Sequence, residues 1–301
     1  MRRHLILFFI LQFALCILHW NLSAATIAFL DVGQGDSEVI LGPDSRVVVI
    51  DGGDLYTGKH NKHDMGKDVV LPYLQSHGVN KIDVLIVSHA HEDHLGGLLT
   101  IIKEMPVGMV IEPGLPYTTP TYKKFLELVK EKKIPYKRGH IGQAITLGPD
   151  FKIWILHPSD PLLNGTHSDP NNNSVVALTQ LYHTRILFTG DIETEGEMRM
   201  LERLRAPGVR NQVSALHDLD ILKVGHHGSK TSSTAGLLDL THPKIAVISC
   251  GRHNKYHHPF LPLIDRLKEM GTMVYRTDVD GTVEAEISSE GYKINTYPHS
   301  R

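Results

Sequence analysis

A chain of 301 residues with 41% hydrophobic and 21% charged side chains is long and apolar enough to bury a sizeable core, which excludes a disordered tail. Its 31 Lys and Arg stand against 33 Asp and Glu, which excludes a global basic field, so any grip on a polyanion must be local. Two cysteines, Cys16 and Cys250, exclude a disulfide framework.

Arg2 and Arg3 precede the apolar run Leu5 to Trp20, and NLSAAT then offers Ser23 and Ala25 at the minus-three and minus-one positions of a cleavable site. Residues 1–25 read as a secretory signal peptide. The alternative is an uncleaved N-terminal anchor, because the run is long for a signal core yet short for a full span. Either reading places the rest of the chain outside the cytoplasm, secreted or periplasmic, with residues 5–20 available for membrane association. Cys16 falls inside this segment, so a cleaved chain keeps Cys250 alone.

After the leader, TIAFLD, SEVILG and RVVVID read as three successive strands separated by the turns VGQGD and GPDS. KDVVLPYLQSHG has helical spacing, DVLIVS is a buried strand, and HLGGLLTIIKEM is a helix. VGMVIEP, a helix over TYKKFLELVKEKK, and strands near ITLGPD and FKIWILHP follow. HPSDPLLNGTHSDPNNNS reads as a long loop over a site. SVVALTQLY and TRILFTGD form a hairpin-like pair before the helix ETEGEMRMLERLR. DLDILKVG, the helix STAGLLDL, KIAVISCG, the helix PLIDRLKEMG, and the strands MVYRT and GTVEAEI close the chain. A meander followed by alternating strands and helices predicts an α/β fold of two mixed sheets with helices outside, in one domain over 26–301.

The stretch SHAHEDHLGG, residues 88 to 97, sets three histidines and two carboxylates at the exit of a buried strand. Hydrolytic metal sites need imidazoles and carboxylates held on a rigid element. His89 and His91, two apart in extended chain, can point the same way, while Asp93 and His94 arrive as the chain turns. One short loop can thus feed two metals, which could hold a bridging hydroxide as nucleophile. Glu92 is expected to face solvent. A surface histidine cluster is the competing reading, and the placement between an apolar strand and Gly96-Gly97 argues against it.

HAHEDH resembles the HxHxDH signature of the metallo-β-lactamase superfamily, which implies a four-layered αββα sandwich with a di-metal site at one sheet edge. DVGQGDS at 31 to 37, VIDGG at 49 to 53, NNNS at 171 to 174, FTGD at 188 to 191, VGHHGSK at 224 to 230 and NKYHHP at 254 to 259 extend the likeness. Together they resemble the hydrolase domain of ComEC-type competence proteins, over about 26–287, nearly all of the chain after the leader.

The resemblance implies roles. Asp191 ends the apolar run ILFTGD and takes the place of the aspartate that bridges both ions, with helix capping as the rival role. In GHHGS, His226 is the expected ligand and His227 the neighbour that orients a ligand or contacts substrate. His258 matches the histidine of an NxxGHP motif, as proton donor, phosphate contact or further ligand, and His257 replaces its glycine. The catalytic set is thus Asp93, His227 and His258; the metal set is His89, His91, Asp93, His94, Asp191 and His226. Asn171, Ser174 and Lys230 are expected to touch substrate. Asn171 stands where many members supply a third histidine, with His167 as a possible substitute, so one or two ions remain open. The donors suit zinc and tolerate manganese. Asp31, Asp36 and Asp51 are expected either to fix imidazoles or to cap turns.

This set fits a metal-dependent phosphodiesterase or nuclease acting on DNA or another phosphodiester through metal-bound hydroxide. Two alternatives are hydrolysis of another ester or amide, such as a phosphocholine ester or a lactam, and a metal-binding module without turnover. The sequence shows no aromatic-basic stripe. No protein partner is inferable from it.

Overall fold

The computed structural model describes residues 24–56, 62–206 and 215–298. The expected leader lies outside them except for Ala24 and Ala25. Ala25 opens β1 and pairs with Ile287. Among the described residues, no helix is long and apolar enough to cross a membrane.

The strands in chain order are β1 (Ala25–Phe29), β2 (Glu38–Leu41), β3 (Val47–Ile50), β4 (Leu55–Tyr56), β5 (His63–Asp64), β6 (Val84–Ile86), β7 (Val110–Glu112), β8 (Tyr136–Arg138), β9 (Ala144–Gly148), β10 (Phe151–His157), β11 (Val176–Leu181), β12 (Thr184–Phe188), β13 (Ile221–Lys223), β14 (Ile245–Ile248), β15 (Met273–Arg276), β16 (Thr282–Ser288) and β17 (Gly291–Tyr297). The helices are α1 (Leu71–Ser76), α2 (Glu92–Leu95), α3 (Leu98–Glu104), α4 (Pro120–Glu131), α5 (Asp169–Asn172), α6 (Thr194–Leu204), α7 (Ala235–Thr241), α8 (Leu261–Glu269) and α9 (Thr277–Asp280). An eight-stranded sheet runs β17-β16-β1-β2-β3-β6-β7-β8, and a seven-stranded sheet runs β15-β14-β13-β12-β11-β10-β9. The strand β17 continues the chain beyond the predicted last strand and covers β16 in antiparallel register.

Period-two alternation divides the side chains among three cores. In β3, Val48 and Ile50 face the second sheet, while Val47 and Val49 face helices. Phe29 and Phe188 meet between the sheets with ring centroids 6.0 Å apart. On the outer side of the first sheet pack Leu74, Leu98, Ile101 and Phe125. On the outer side of the second pack Met200, Leu237, Leu263 and Leu267. This layering is the expected αββα sandwich.

Strands β3, β6, β7 and β8 are mutually parallel, as are β12 to β15. Loops leaving the carboxyl ends of such strands collect at one edge, where open α/β sheets place their sites. The segments after β6, β12, β13 and β14 carry HAHEDH, Asp191, GHHGS and His258 in turn. The helix predicted over 94–105 is broken in two at Gly96-Gly97, which separates the motif turn α2 from α3.

The long loop after β10 is held by its own polar side chains. Asp169 accepts hydrogen bonds from the Gly165 and Thr166 amides, and Asn173 donates to the Leu163 and Asp169 carbonyls. His157, at its start, is buried and donates from Nε2 to the Asn172 carbonyl at 2.9 Å. Burial pushes its imidazole down to about 4. An unfolded histidine takes up its proton near pH 6.5, so stability is full above that pH and is lost as pH falls through 4. The loss amounts to about 3 kcal/mol. Glutamine at 157 keeps the donor without the titration, so urea midpoints of His157→Gln are expected to fall less than wild type between pH 7 and 4.5. Equal falls would remove His157 as the cause.

Candidate metal centre

Four imidazole nitrogens surround one carboxylate oxygen at the sheet edge. Asp191 Oδ2 lies 3.3 Å from His94 Nε2, 3.5 Å from His227 Nε2, and 3.8 Å from both His89 Nε2 and His226 Nε2. His89 Nε2 is 3.0 Å from His91 Nδ1, so these two do point the same way. Asp93 Oδ2 is 3.4 Å from His227 Nε2. His89, His94 and Asp191 bring donor atoms close together, as do Asp93, His94 and His227, while His91 adjoins the cluster through His89.

Each inner imidazole is oriented from behind. Asp51 accepts from the Ser88 amide at 2.7 Å and the Ser88 hydroxyl at 2.5 Å, and sits 2.8 Å from His94 Nδ1. His227 Nδ1 donates to the Ser249 carbonyl at 2.9 Å. Both bonds put the proton on Nδ1 and turn the Nε2 lone pair inward. Asp36, 3.2 Å from His227 Nδ1, is itself held by Lys223 Nζ at 2.6 Å. Asp51 therefore fixes the His94 imidazole and Asp36 sets a negative charge beside His227, whereas Asp31 accepts from the Gly33 amide within its own turn. Gly35, at φ 139°, lets this turn lie against the Asp93 carbonyl, which a Cβ there would meet at 2.3 Å.

The donors fit a divalent cation. His94 Nε2, His227 Nε2, Asp191 Oδ1 and Asn171 Oδ1 are buried without a hydrogen-bond partner. Burial disfavours a charge on His94 and His227, yet the surrounding carboxylates, Asp191 above all, override it and raise both, His227 to about 10. Burial likewise opposes the Asp93 and Asp191 carboxylates, and the neighbouring histidines hold both below the ordinary range. The cluster thus compensates its carboxylates with protons on imidazoles, and a cation would displace those protons. His89, which burial pushes far down, already presents a neutral ring.

Of the adjacent pair, in which His226 is the expected ligand, both rings turn a nitrogen toward Asp191 Oδ2, His227 at 3.5 Å and His226 at 3.8 Å. Both His226 and His227 adopt left-handed backbone, φ 46° and 54°, which swings their rings apart. His227 is buried in the cluster, while His226 stands at its rim with Nδ1 3.0 Å from Glu193 Oε1. His257 is exposed and takes φ 58°, the conformation in which glycine is easiest.

A cleft of about 370 Å³ opens over the cluster, lined by Gln34, His91, Glu92, Asp93, Tyr117 and Asn171 on one part of its wall and by His226, His227, Tyr256 and His258 on another. His258 is half-buried with its ring stacked on Tyr256, and burial with the His227 and His226 charges pushes it down to about 4. Three expectations fail here. Ser174 is buried and its hydroxyl accepts the Asp191 amide, so it shapes the backbone instead of touching substrate. Lys230 is exposed on the turn beyond the cleft wall. Glu92 lines the cleft, where burial raises its carboxyl, instead of facing open solvent. His167 is exposed, with its backbone toward Glu195, and takes no part in the cluster.

The pattern of resemblance extends to known proteins. Residues 30–253 match the metallo-beta-lactamase superfamily model. ComE operon protein 3 of Bacillus subtilis is 29% identical over 284 residues, covering 92% of this chain and 35% of that protein. Recombination protein 2 of Haemophilus influenzae is 30% identical over 270 residues, covering 88% of this chain and 29% of that one. The chain thus spans about a third of the length of these relatives. The metallo-beta-lactamase fold protein YhfI of Bacillus subtilis superposes with a TM-score of 0.52 at 11% identity, over 86% of this chain and 99% of that one, a likeness of fold. On the family match, the four-layered sandwich and the motif order, the chain belongs to the metallo-β-lactamase superfamily of metal-binding hydrolases.

Proposed function

We propose that residues 26–301 form a metal-dependent phosphodiesterase that cleaves DNA or another phosphodiester outside the cytoplasm. The observation that supports this reading is the single Asp191 oxygen faced by the imidazoles of His89, His94, His226 and His227 beneath an open cleft. His89, His91 and Asp191 would hold one ion, and Asp93, His94, Asp191 and His227 the other. Zinc suits this set, and Asn171 Oδ1 beside it would accommodate manganese. When bound, the metal supplies an activated water and offsets charge developing on the phosphate.

The remaining work falls to the chain's own groups. Gln34 receives the Gly251 amide on Oε1, which leaves Nε2 as a donor without a partner. His258, neutral at pH 7, offers one N–H at the cleft wall. The His258 donor can orient a non-bridging phosphate oxygen, and Gln34 Nε2, buried at the cleft wall, reaches one only if its side chain turns outward. The name of one relative, a recombination protein, agrees with a nucleic acid substrate.

Protein loaded with zinc or manganese should hydrolyse bis(p-nitrophenyl) phosphate and DNA. If both stay intact, the proposal is lost; turnover of a β-lactam or a phosphocholine ester would move the chain to another hydrolase class. Within the site, His227→Ala is expected to lower bound metal and kcat/KM about a hundredfold, and His226→Ala only about tenfold. Metal content by mass spectrometry and steady-state rates check this order, and the opposite ranking would return His226 to the inner position.

A further inference from the structure

Beside the metal cleft lies a second groove of about 400 Å³ along α4, and the two share Tyr117 and Thr119 in their walls. The Tyr117 ring stands at the junction, 5.8 Å from His91 and 6.4 Å from Tyr122, edge-on to both. Buried Tyr122 and the exposed Leu126 give the groove apolar lining. Lys123 and Lys130 are exposed on the same groove, seven residues apart on one helix face, about 10 Å along the axis. Neither has an ion-pair partner among the described residues, and Glu127, which lines the groove between them, is held by Lys124 at 3.3 Å. At the cleft wall, exposed Tyr256 carries Lys255 5.0 Å from its ring centroid. Tyr117 and the α4 lysines are thus neighbours in sequence, and Tyr256 with Lys255 reaches the adjoining cleft from a remote loop.

We propose that this groove binds single-stranded nucleic acid, the strand leaving the metal cleft over Tyr117 and running along α4. The proposal rests on the phosphodiesterase reading and names its substrate class. Bases stack on Tyr117 and lie against Leu126, while Lys123 and Lys130 meet successive parts of the backbone. Charge complementarity selects this occupant: an apolar lining with cationic edges matches unpaired bases joined by phosphates, and a paired duplex hides the faces that the tyrosine would stack on.

The test is fluorescence anisotropy of a labelled twelve-residue phosphorothioate oligothymidylate, which resists cleavage, with the metal-loaded full chain. Tyr117→Ala is expected to weaken binding about tenfold or more, with Tyr117→Phe restoring it. The double variant Lys123→Gln with Lys130→Gln is expected to reduce the slope of log affinity against log salt by about 1.4, two phosphate contacts on a single strand. A duplex of the same length should bind more weakly. An unchanged salt slope overturns the groove, as does equal binding by Tyr117→Ala or by duplex, which would leave only a general polyanion surface. Hydrolysis of bis(p-nitrophenyl) phosphate, too small to reach α4, separates the two readings. Turnover of that ester with unaltered oligonucleotide binding in the variants removes the groove and leaves the phosphodiesterase. The expected binding losses without any turnover retain the groove and remove the phosphodiesterase.

Discussion

Asp191→Asn is expected to empty both half-sites together and to lower kcat/KM for a phosphodiester about a thousandfold, equivalent to about 4 kcal/mol of transition-state stabilisation. Asparagine preserves the shape of the side chain and the Ser174 contact to the backbone amide, so the fold should persist. It removes the one anionic oxygen toward which His89, His94 and His227 all turn. Three imidazoles and Asp93 then remain without the carboxylate that neutralises both ions. The expected measurement is metal per chain, falling at both half-sites, alongside the rate. A variant that keeps full metal content and more than a tenth of the activity would show that Asp191 caps the turn before α6 and bridges nothing. His91→Ala, on one half-site only, should leave part of the metal bound, and this contrast distinguishes a shared ligand from a private one.

Much of the architecture was legible because burial writes itself into short periods. Alternating Val in RVVVID and the apolar runs before HAHEDH, FTGD and GHHGS were enough to place the motif loops at strand ends. What escaped depended on distance or on backbone torsion. Lys223 in DILKVG carries no local signal of its role, since its partner Asp36 is 187 residues away. The order within His226-His227 turns on two left-handed φ values that no spacing rule encodes. Glu193 and Glu92 were read as a helix start and a solvated charge because their proximity to His226 and to the cleft is tertiary. The aromatic-basic surface is local in sequence, since LPYTTP runs directly into α4, but only the fold brings Tyr117 to the edge of the metal cleft beside His91. The strand β17 carries the alternation Tyr292-Lys293-Ile294-Asn295 that a half-buried edge strand requires, with Tyr292 and Ile294 packed inward, so its signal is present in the sequence though the reading stops at β16.

Lys223→Met should destabilise the fold by about 3–5 kcal/mol, the cost of leaving one member of a buried ion pair alone. Lys223 is 1% exposed, and besides Asp36 its ammonium reaches the Val224 carbonyl at 3.0 Å. Burial alone would lift the Asp36 carboxyl, and Lys223 with His227 holds it below its ordinary range. Close by, Glu38 is buried as well, and burial together with the Asp36 charge raises its carboxyl well above the usual range. Lys223 thus sets which of two neighbouring acids carries the charge, and that charge sits 3.2 Å from the Nδ1 of His227. Methionine fills the same apolar volume without the cation, so the loss is electrostatic and not a cavity. Urea unfolding should show a lowered midpoint at an unchanged slope, and Asp36→Asn in the same chain should recover a large part of the loss by removing the stranded carboxylate. If the double variant is as unstable as the sum of the two single ones, Lys223 and Asp36 act independently, and the support behind His227 must come from the Ser249 carbonyl alone.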